Sequence, residues 1–148
     1  MGIPVYFKTI ISQYSDTICI KSKLTNINSL FLDLNCLIHP CCQNLTQESD
    51  MITNIINSID LLINYTNVQS LLYIAIDGVA PLAKMKQQKQ RRHKSILEHK
   101  LWDTNAISPG THFMNQLNQS LELWKQTKSN SFTILINNSN NPGEGEHK

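Results

Sequence analysis

LLYIAIDG, residues 71–78, is an apolar run that ends in a carboxylate and a glycine. A short apolar run without polar alternation is typical of a buried strand in a parallel sheet. SLFLDL, residues 29–34, repeats the pattern with Asp33, and FTILI, residues 132–136, supplies a third run. The three runs therefore predict three parallel strands, two of which end at an aspartate.

The segments around these runs have helical periodicity. Apolar residues at helical spacing predict three helices, which run from Pro4 to Tyr14, from Glu48 to Tyr65 and from His112 to Thr127. A fourth, polar helix is predicted from Ala83 to Trp102, because this segment contains no Gly or Pro. A loop is expected over residues 105–111. Alternation of strands with helices predicts the α/β class, with a parallel sheet flanked by helices and one unit over residues 1–148.

The overall composition excludes several classes of protein. The chain has 148 residues, 41% hydrophobic and 16% charged, with a net charge of +2. These values exclude a wholly basic nucleic-acid coat, an acidic disordered tail and a collagen-like chain. No apolar run approaches the roughly 20 residues that span a bilayer. No secretory signal is visible, so we expect an intracellular protein, with the cytoplasm favoured over the nucleus.

Carboxylates follow all three predicted strands. Asp33 and Asp77 end the first two, and Glu144 and Glu146 lie just past the third. Ligand sites in open parallel sheets form beyond the carboxyl ends of the strands, so these side chains can converge. Converging carboxylates repel one another, and a divalent cation such as Mg²⁺ or Mn²⁺ relieves that repulsion. The alternative is that each aspartate only caps a turn or a helix.

Basic residues concentrate in one predicted helix. Seven of the thirteen cations fall within residues 84–100. Among them, Lys84, Gln88, Arg91 and Arg92 have the i, i+4, i+7, i+8 spacing of a single helix face. Such a face beside a carboxylate cluster suits a terminal phosphate group. The alternative is a basic helix that is simply exposed to water.

One histidine is a candidate for base stacking, whereas the two tryptophans are predicted to be core residues. His39 is expected in a loop after the first strand, where it could stack on a nucleic-acid base beside the phosphate site. The alternative is a histidine with a local structural role. Trp102 and Trp124 are expected to pack in the core.

Several blocks of the chain, in order, resemble the XRN family of 5′→3′ exoribonucleases. The blocks are MGIP (1–4), LDLN (32–35), IHPCC (38–42), AIDGVAP (75–81), AKM (83–85), QQ (87–88), RR (91–92), SPGT (108–111), FM (113–114) and PGEGEHK (142–148). The resemblance spans the whole chain. Leu82 stands where the family commonly has a basic residue.

The resemblance implies a PIN/flap-nuclease-like α/β core that degrades single-stranded RNA with a 5′-monophosphate, using Mg²⁺ or Mn²⁺. It implies the following roles. The carboxylates of the catalytic metal site are Asp33, Asp77, Glu144 and Glu146. The pocket for the 5′-phosphate is formed by Lys84, Gln88, Arg91 and Arg92, and His39 stacks on the first base.

Family members continue well beyond the final EGEHK. The resemblance therefore implies that residues 1–148 are the N-terminal portion of the nuclease domain, incomplete at the C-terminal end, with later strands and aspartates supplied elsewhere in the protein or by a separate chain. Two further hypotheses stay open. One is a catalytically incomplete module that binds RNA 5′-monophosphate ends, and the other is a flap-type DNA nuclease relative.

Overall fold

The computed structural model describes residues 5–17, 24, 27–96, 102–128 and 131–148. Within this part of the chain, three parallel strands form one sheet: β1 (Ser29–Asp33), β2 (Leu71–Ala75) and β3 (Thr133–Asn137). The order is β1-β2-β3, with β2 in the centre. The predicted α/β class and the three strands are confirmed.

Five α-helices accompany the sheet in the described residues. They are α1 (Tyr6–Gln13), α2 (Asn35–Cys41), α3 (Glu48–Thr66), α4 (Leu82–Ile96) and α5 (His112–Thr127). Short 3₁₀ turns cover Ser15–Thr17, Thr104–Ala106 and Gly145–His147. No helix in the described ranges is both long and apolar enough to cross a membrane.

The core lies on one face of the sheet. Leu72 and Ile74 of β2 are fully buried there against apolar residues of α2, α3 and α5. Helix α5 begins at an N-cap, where the side-chain oxygen of Thr111 accepts a hydrogen bond from the backbone of Met114. Trp124 of α5 is buried, and its ring nitrogen donates to Asp60 at 3.1 Å. The described helices therefore hold the sheet from one side.

Among the described residues, the opposite face of the sheet is less covered. Phe31 is 67% exposed and Leu135 is 45% exposed, although both belong to strands that the apolar runs predict to be buried. The ring of Phe31 lies 5.9 Å from that of Tyr73 on the same face. The strand assignment is correct, but complete burial of the apolar runs is wrong for these residues, because α2, α3 and α5 pack on the other face.

Two local expectations need correction. His39 lies in helix α2 rather than in a loop, because burial of Ile38 and Cys41 stabilises a helical turn despite Pro40. Helix α4 is described as far as Ile96, and residues 97–101 of the predicted helix lie outside the described part, but Trp102, its predicted last residue, lies in a bend. Trp102 nevertheless packs edge-on against the ring of Phe113, as expected for a core residue.

Candidate functional site

The carboxyl ends of the strands meet at one edge of the sheet. In the parallel register, Asp33 of β1 lies opposite Ala75 of β2, and Ala75 lies opposite Asn137 of β3. Asp77 follows β2 by two residues, and both aspartates are half-buried. The topology therefore brings the two strand-end aspartates to the same edge, where sites form in open parallel sheets.

Gly145 joins the two aspartates. Its backbone N–H donates a hydrogen bond to Oδ1 of Asp77 at 2.7 Å. A Cβ atom at this position would lie 2.8 Å from Oδ1 of Asp33, closer than non-bonded atoms approach. Gly145 is itself buried, so only a residue without a side chain fits between the aspartates. The neighbouring Glu144 and Glu146 are thereby held at the same edge of the sheet.

Asn35 ties the ends of β1 and β2 together. Its backbone N–H donates to Oδ1 of Asp33 at 3.2 Å, and its side-chain oxygen accepts from the backbone N–H of Asp77 at 3.3 Å. No role for Asn35 is predicted from the sequence. The only signal was an amide residue two positions after a strand-end aspartate, a pattern typical of turns.

The thiol of Cys36 lies beside the carboxylates at this edge of the sheet. Its Sγ lies 3.6 Å from Oδ2 of Asp33 and donates a weak hydrogen bond to it. Partial burial raises the pKa of the Cys36 thiol, and the charges of Asp33, Asp77 and Glu146 raise the pKa further. Three of the predicted metal-site carboxylates therefore act on one thiol.

Glu144 is buried and paired with a cation. Only 7% of the residue is exposed, and its Oε2 accepts a hydrogen bond from Nζ of Lys84 in α4. That hydrogen bond lowers the pKa of Glu144 although burial opposes it, and the same bond raises the pKa of Lys84. Lys84, predicted for a phosphate pocket, thus contacts a predicted metal-site carboxylate.

Glu144, Glu146 and His147 form a group that could hold a metal ion, with ligand atoms within 4.8 Å of one another. His147, which the sequence analysis leaves unassigned, lies three residues after Glu144, with Nδ1 3.9 Å from Oε2 of that residue. Asp33 and Asp77 do not belong to this group. The carboxylate oxygens at this edge are hard donors and fit Mg²⁺ or Mn²⁺.

Helix α4 contains all the residues predicted for the phosphate pocket. Lys84 and Gln88 are half-buried and Arg92 is exposed, while the side chain of Arg91 lies outside the described part. His39 is exposed on a different helix, α2. The pocket and the stacking position of His39 stay predictions.

The chain matches one family along its whole length. The match is to the XRN 5′-3′ exonuclease N-terminus, and it covers residues 1–148.

Three similar curated proteins share the name 5′-3′ exoribonuclease 2. That of Cryptococcus neoformans var. neoformans is 34% identical over 161 residues, covering 82% of this chain and 14% of that protein. That of Aspergillus oryzae is 34% identical over 163 residues, covering 82% and 16%. That of Gallus gallus is 30% identical over 207 residues, covering 100% and 22%.

This chain spans between 14% and 22% of the length of these relatives. The fold, the strand-end carboxylates and the match over all 148 residues lead to one conclusion. The chain belongs to the XRN 5′-3′ exonuclease N-terminus family.

Proposed function

We propose that residues 1–148 are the N-terminal part of a 5′→3′ exoribonuclease domain that hydrolyses RNA carrying a 5′-monophosphate. The observation that supports this most directly is the position of Gly145. It donates to Asp77 and abuts Asp33, so two glutamates lie beside two strand-end aspartates. The names of the similar proteins point to the same reaction.

The four carboxylates are the proposed metal ligands: Asp33, Asp77, Glu144 and Glu146. Mg²⁺ or Mn²⁺ bound by them would supply an activated water and stabilise the leaving oxygen of a phosphodiester. The chain itself holds the carboxylate oxygens at one edge of the sheet through Gly145 and Asn35. A fixed set of oxygens around the scissile phosphate requires little rearrangement during the reaction.

The face of α4 is the proposed 5′-phosphate pocket, formed by Lys84, Gln88, Arg91 and Arg92. Guanidinium and ammonium donors bind a terminal monophosphate, and a pocket that fits this group would exclude a cap or a triphosphate by size and charge. His39 would stack on the first base of single-stranded RNA. A pocket for the chain end measures the substrate from that end, which makes the reaction exonucleolytic.

The remaining parts of the active site are proposed to come from outside these residues, in the same protein or in a separate chain. The similar proteins are several times longer, which supports this. We further propose an intracellular location, with the cytoplasm favoured over the nucleus, where single-stranded RNA is the substrate.

The ion pair between Lys84 and Glu144 favours a second candidate function. Since Glu144 already has a cationic partner within the chain, residues 1–148 could bind 5′-monophosphate ends without hydrolysing them. A flap-type DNA nuclease is a third possibility, and it is separated from the first two by the substrate.

The test uses the chain with Mg²⁺ and oligoribonucleotides that carry a 5′-monophosphate, a 5′-hydroxyl or a 5′-triphosphate, with a 5′-flap DNA beside them. Loss of nucleotides from the monophosphate RNA alone, abolished in Asp77→Ala, supports the exonuclease. Selective binding without digestion supports the binding module when the protein that contains the remaining parts of the active site also fails to digest the RNA. Cleavage of the flap DNA supports the third candidate. If binding and digestion do not depend on the group at the 5′ end, and Arg91→Ala changes neither, the assignment of the phosphate pocket is contradicted.

A further inference from the structure

Lys148 lies across the ends of β2 and β3. Its Nζ donates hydrogen bonds to three backbone carbonyl oxygens, those of Ile76 at 2.7 Å, Asn138 at 2.9 Å and Asn141 at 2.8 Å. An ammonium group has three donors, so each of them has a partner. No carboxylate is needed to hold this cation in place, and the bonds it makes are all to the backbone.

The rest of Lys148 is also fixed. Its carbonyl oxygen accepts a hydrogen bond from the hydroxyl of Tyr73 at 3.0 Å, and that hydroxyl accepts one from the side-chain amide of Asn137 at 3.2 Å. Its aliphatic stem passes over Gly143, where a Cβ would lie 3.8 Å from Cε of the lysine. Both ends of the residue are therefore anchored to the strands.

The backbone that Lys148 binds leads directly to the predicted metal ligands. Ile76 precedes Asp77, and the turn of residues 138–141 precedes Glu144 and Glu146. Besides the lysine, the bond from Gly145 to Asp77 and the bond from the N–H of Gly78 to the carbonyl oxygen of Gly143, at 2.8 Å, connect these two segments. The backbone N–H groups of Gly143 and Ile76 add bonds to the carbonyl oxygens of Val79, at 3.0 Å, and Asn137, at 2.9 Å. The ammonium is the side-chain group that binds both segments at once, with one bond to Ile76 and two to the turn of residues 138–141.

Holding a charge in this position has a cost. Burial lowers the pKa of Lys148, while the negative charge of Asp77 raises it. A partly buried cation is tolerated when its hydrogen bonds are complete. Without the ammonium, the three carbonyl groups lose their shared donor, and only the backbone bonds and the bond from Gly145 to Asp77 still connect the two segments.

We propose that Lys148 is a positioning residue of the metal site, which holds the segment of Asp77 and the segment of Glu144 and Glu146 at a fixed separation. The proposal rests on the proposed function only in taking these carboxylates as metal ligands. Lys148 acts through the backbone and is not itself a ligand. Residues that orient metal ligands in this way typically affect metal affinity by about 10- to 100-fold.

The first test needs no metal. Amide hydrogen exchange is measured by NMR on the full chain and on Lys148→Met. We expect the amides of Gly78 and Gly145 to exchange at least about tenfold faster in the variant, because their acceptors lie in the two segments. The amides of Leu72 and Ile74 in the central strand are expected to keep their protection. Unchanged exchange at Gly78 and Gly145 would overturn the proposal.

The second test measures Mn²⁺ affinity by electron paramagnetic resonance. We expect Lys148→Met to bind Mn²⁺ about tenfold more weakly. Removal of a nearby positive charge would by itself strengthen cation binding, so the expected change is opposite to a simple charge effect. Unchanged or tighter binding in a folded Lys148→Met chain would therefore overturn the proposal.

Lys128→Met is the matched control. Lys128 is also partly buried and paired, with Nζ 2.6 Å from Oδ1 of Asp60 and 5.3 Å from the ring centre of Trp124. It follows α5 and precedes β3, at the opposite end of the strand from the carboxylates. We expect this variant to lose stability without a change in Mn²⁺ affinity, and a loss of affinity equal to that of Lys148→Met would count against a specific role.

Failure of the proposed function and failure of the Lys148 proposal can be distinguished. If the unchanged chain binds no Mn²⁺, the proposed function fails, and amide exchange alone decides the role of Lys148. If Lys148→Met does not fold, Tyr73→Phe replaces it, since this change removes the hydroxyl that donates to the carbonyl oxygen of Lys148 and accepts from the side-chain amide of Asn137. Faster exchange at Gly145 in that variant supports the proposal, and unchanged exchange overturns it.

Discussion

Lys84 of helix α4 donates a hydrogen bond to Oε2 of Glu144, which lies 60 residues further along the chain. The side chain of Glu144 is 9% exposed and that of Lys84 is 30% exposed, so the pair is partly shielded from water. One residue is proposed to bind metal and the other to bind the 5′-phosphate. The pair therefore couples the two halves of the candidate site.

The first prediction concerns metal binding in Lys84→Gln. Because the ammonium competes with a metal ion for Oε2 of Glu144, its removal should tighten Mn²⁺ binding by about fivefold or more. Titration of Mn²⁺ followed by electron paramagnetic resonance measures this. Lys86→Gln is the control, since it removes the same charge from an exposed position of the same helix. Equal tightening in both variants would mean that only the net charge matters.

The second prediction concerns the acid stability of the metal-free chain. The hydrogen bond from Lys84 holds the pKa of Glu144 below its ordinary value of 4.5. A carboxyl group with a lowered pKa contributes stability that is complete above its unfolded pKa and is lost as the pH falls through its folded pKa. The free energy of unfolding should therefore fall more below about pH 4.5 in the unchanged chain than in Glu144→Gln.

Urea unfolding followed by circular dichroism, from about pH 3 to about pH 6, measures this difference. Lys84→Gln should show the same reduced acid sensitivity as Glu144→Gln, because it removes the other partner. Because the pKa of Lys84 is raised, the stability that Lys84 contributes is complete below pH 10.5. It is lost only as the pH rises through the pKa of Lys84 in the folded state, so it does not affect the acid profile. Identical acid profiles of all three chains would contradict the pairing.

The third prediction concerns Gly145→Ala. The added Cβ would lie 2.8 Å from Oδ1 of Asp33 and 3.4 Å from the carbonyl oxygen of Ala75, so the two carboxylate segments must move apart. Displacement of catalytic groups by about 1 Å typically costs on the order of 100-fold in rate. We expect a loss of that order in the nuclease activity of protein that includes the remaining parts of the active site, together with weaker Mn²⁺ binding, measured on the same preparations.

Gly110→Ala is the control for this variant. Gly110 has a φ of 85°, and a Cβ there would meet no atom within 4 Å. The substitution should therefore cost about 1 kcal/mol in folding free energy because of the left-handed backbone, but leave metal binding unchanged. If Gly110→Ala also weakens Mn²⁺ binding, the effect of Gly145→Ala cannot be attributed to the contact with Asp33.

The fold was predictable where apolar patterning and burial agree. Helix α5 has the predicted bounds, His112–Thr127, because Leu117, Leu121 and Trp124 recur at helical spacing and all pack in the core. Helix α2 was not predicted. Its seven residues include Asn35 and Pro40, which have low helix propensity, and the tertiary burial of Ile38 and Cys41 stabilises it.

The candidate site was predictable only in its carboxylates. Parallel topology places the residues after each strand at one edge, so the positions of Asp33 and Asp77 follow from the order of the elements. The residues that hold these aspartates in place could not be predicted from the order of the elements. The hydrogen bonds of Asn35, Gly145 and Lys148 join residues 42 to 72 positions apart, and no local periodicity marks such contacts.

The fourth prediction concerns the end of the substrate. Arg92 is exposed on α4, on the helix face that also contains Lys84 and Gln88, and a guanidinium can bind a monophosphate through two hydrogen bonds. Arg92→Ala should weaken binding of a 5′-monophosphorylated oligoribonucleotide by about tenfold and leave the 5′-hydroxyl form unaffected. Fluorescence anisotropy with Ca²⁺ in place of Mg²⁺ would measure both affinities without hydrolysis. Lys86→Ala, on the opposite side of the helix, should weaken both forms equally and only slightly, and an equal loss of selectivity in both variants would contradict a pocket on the Arg92 face.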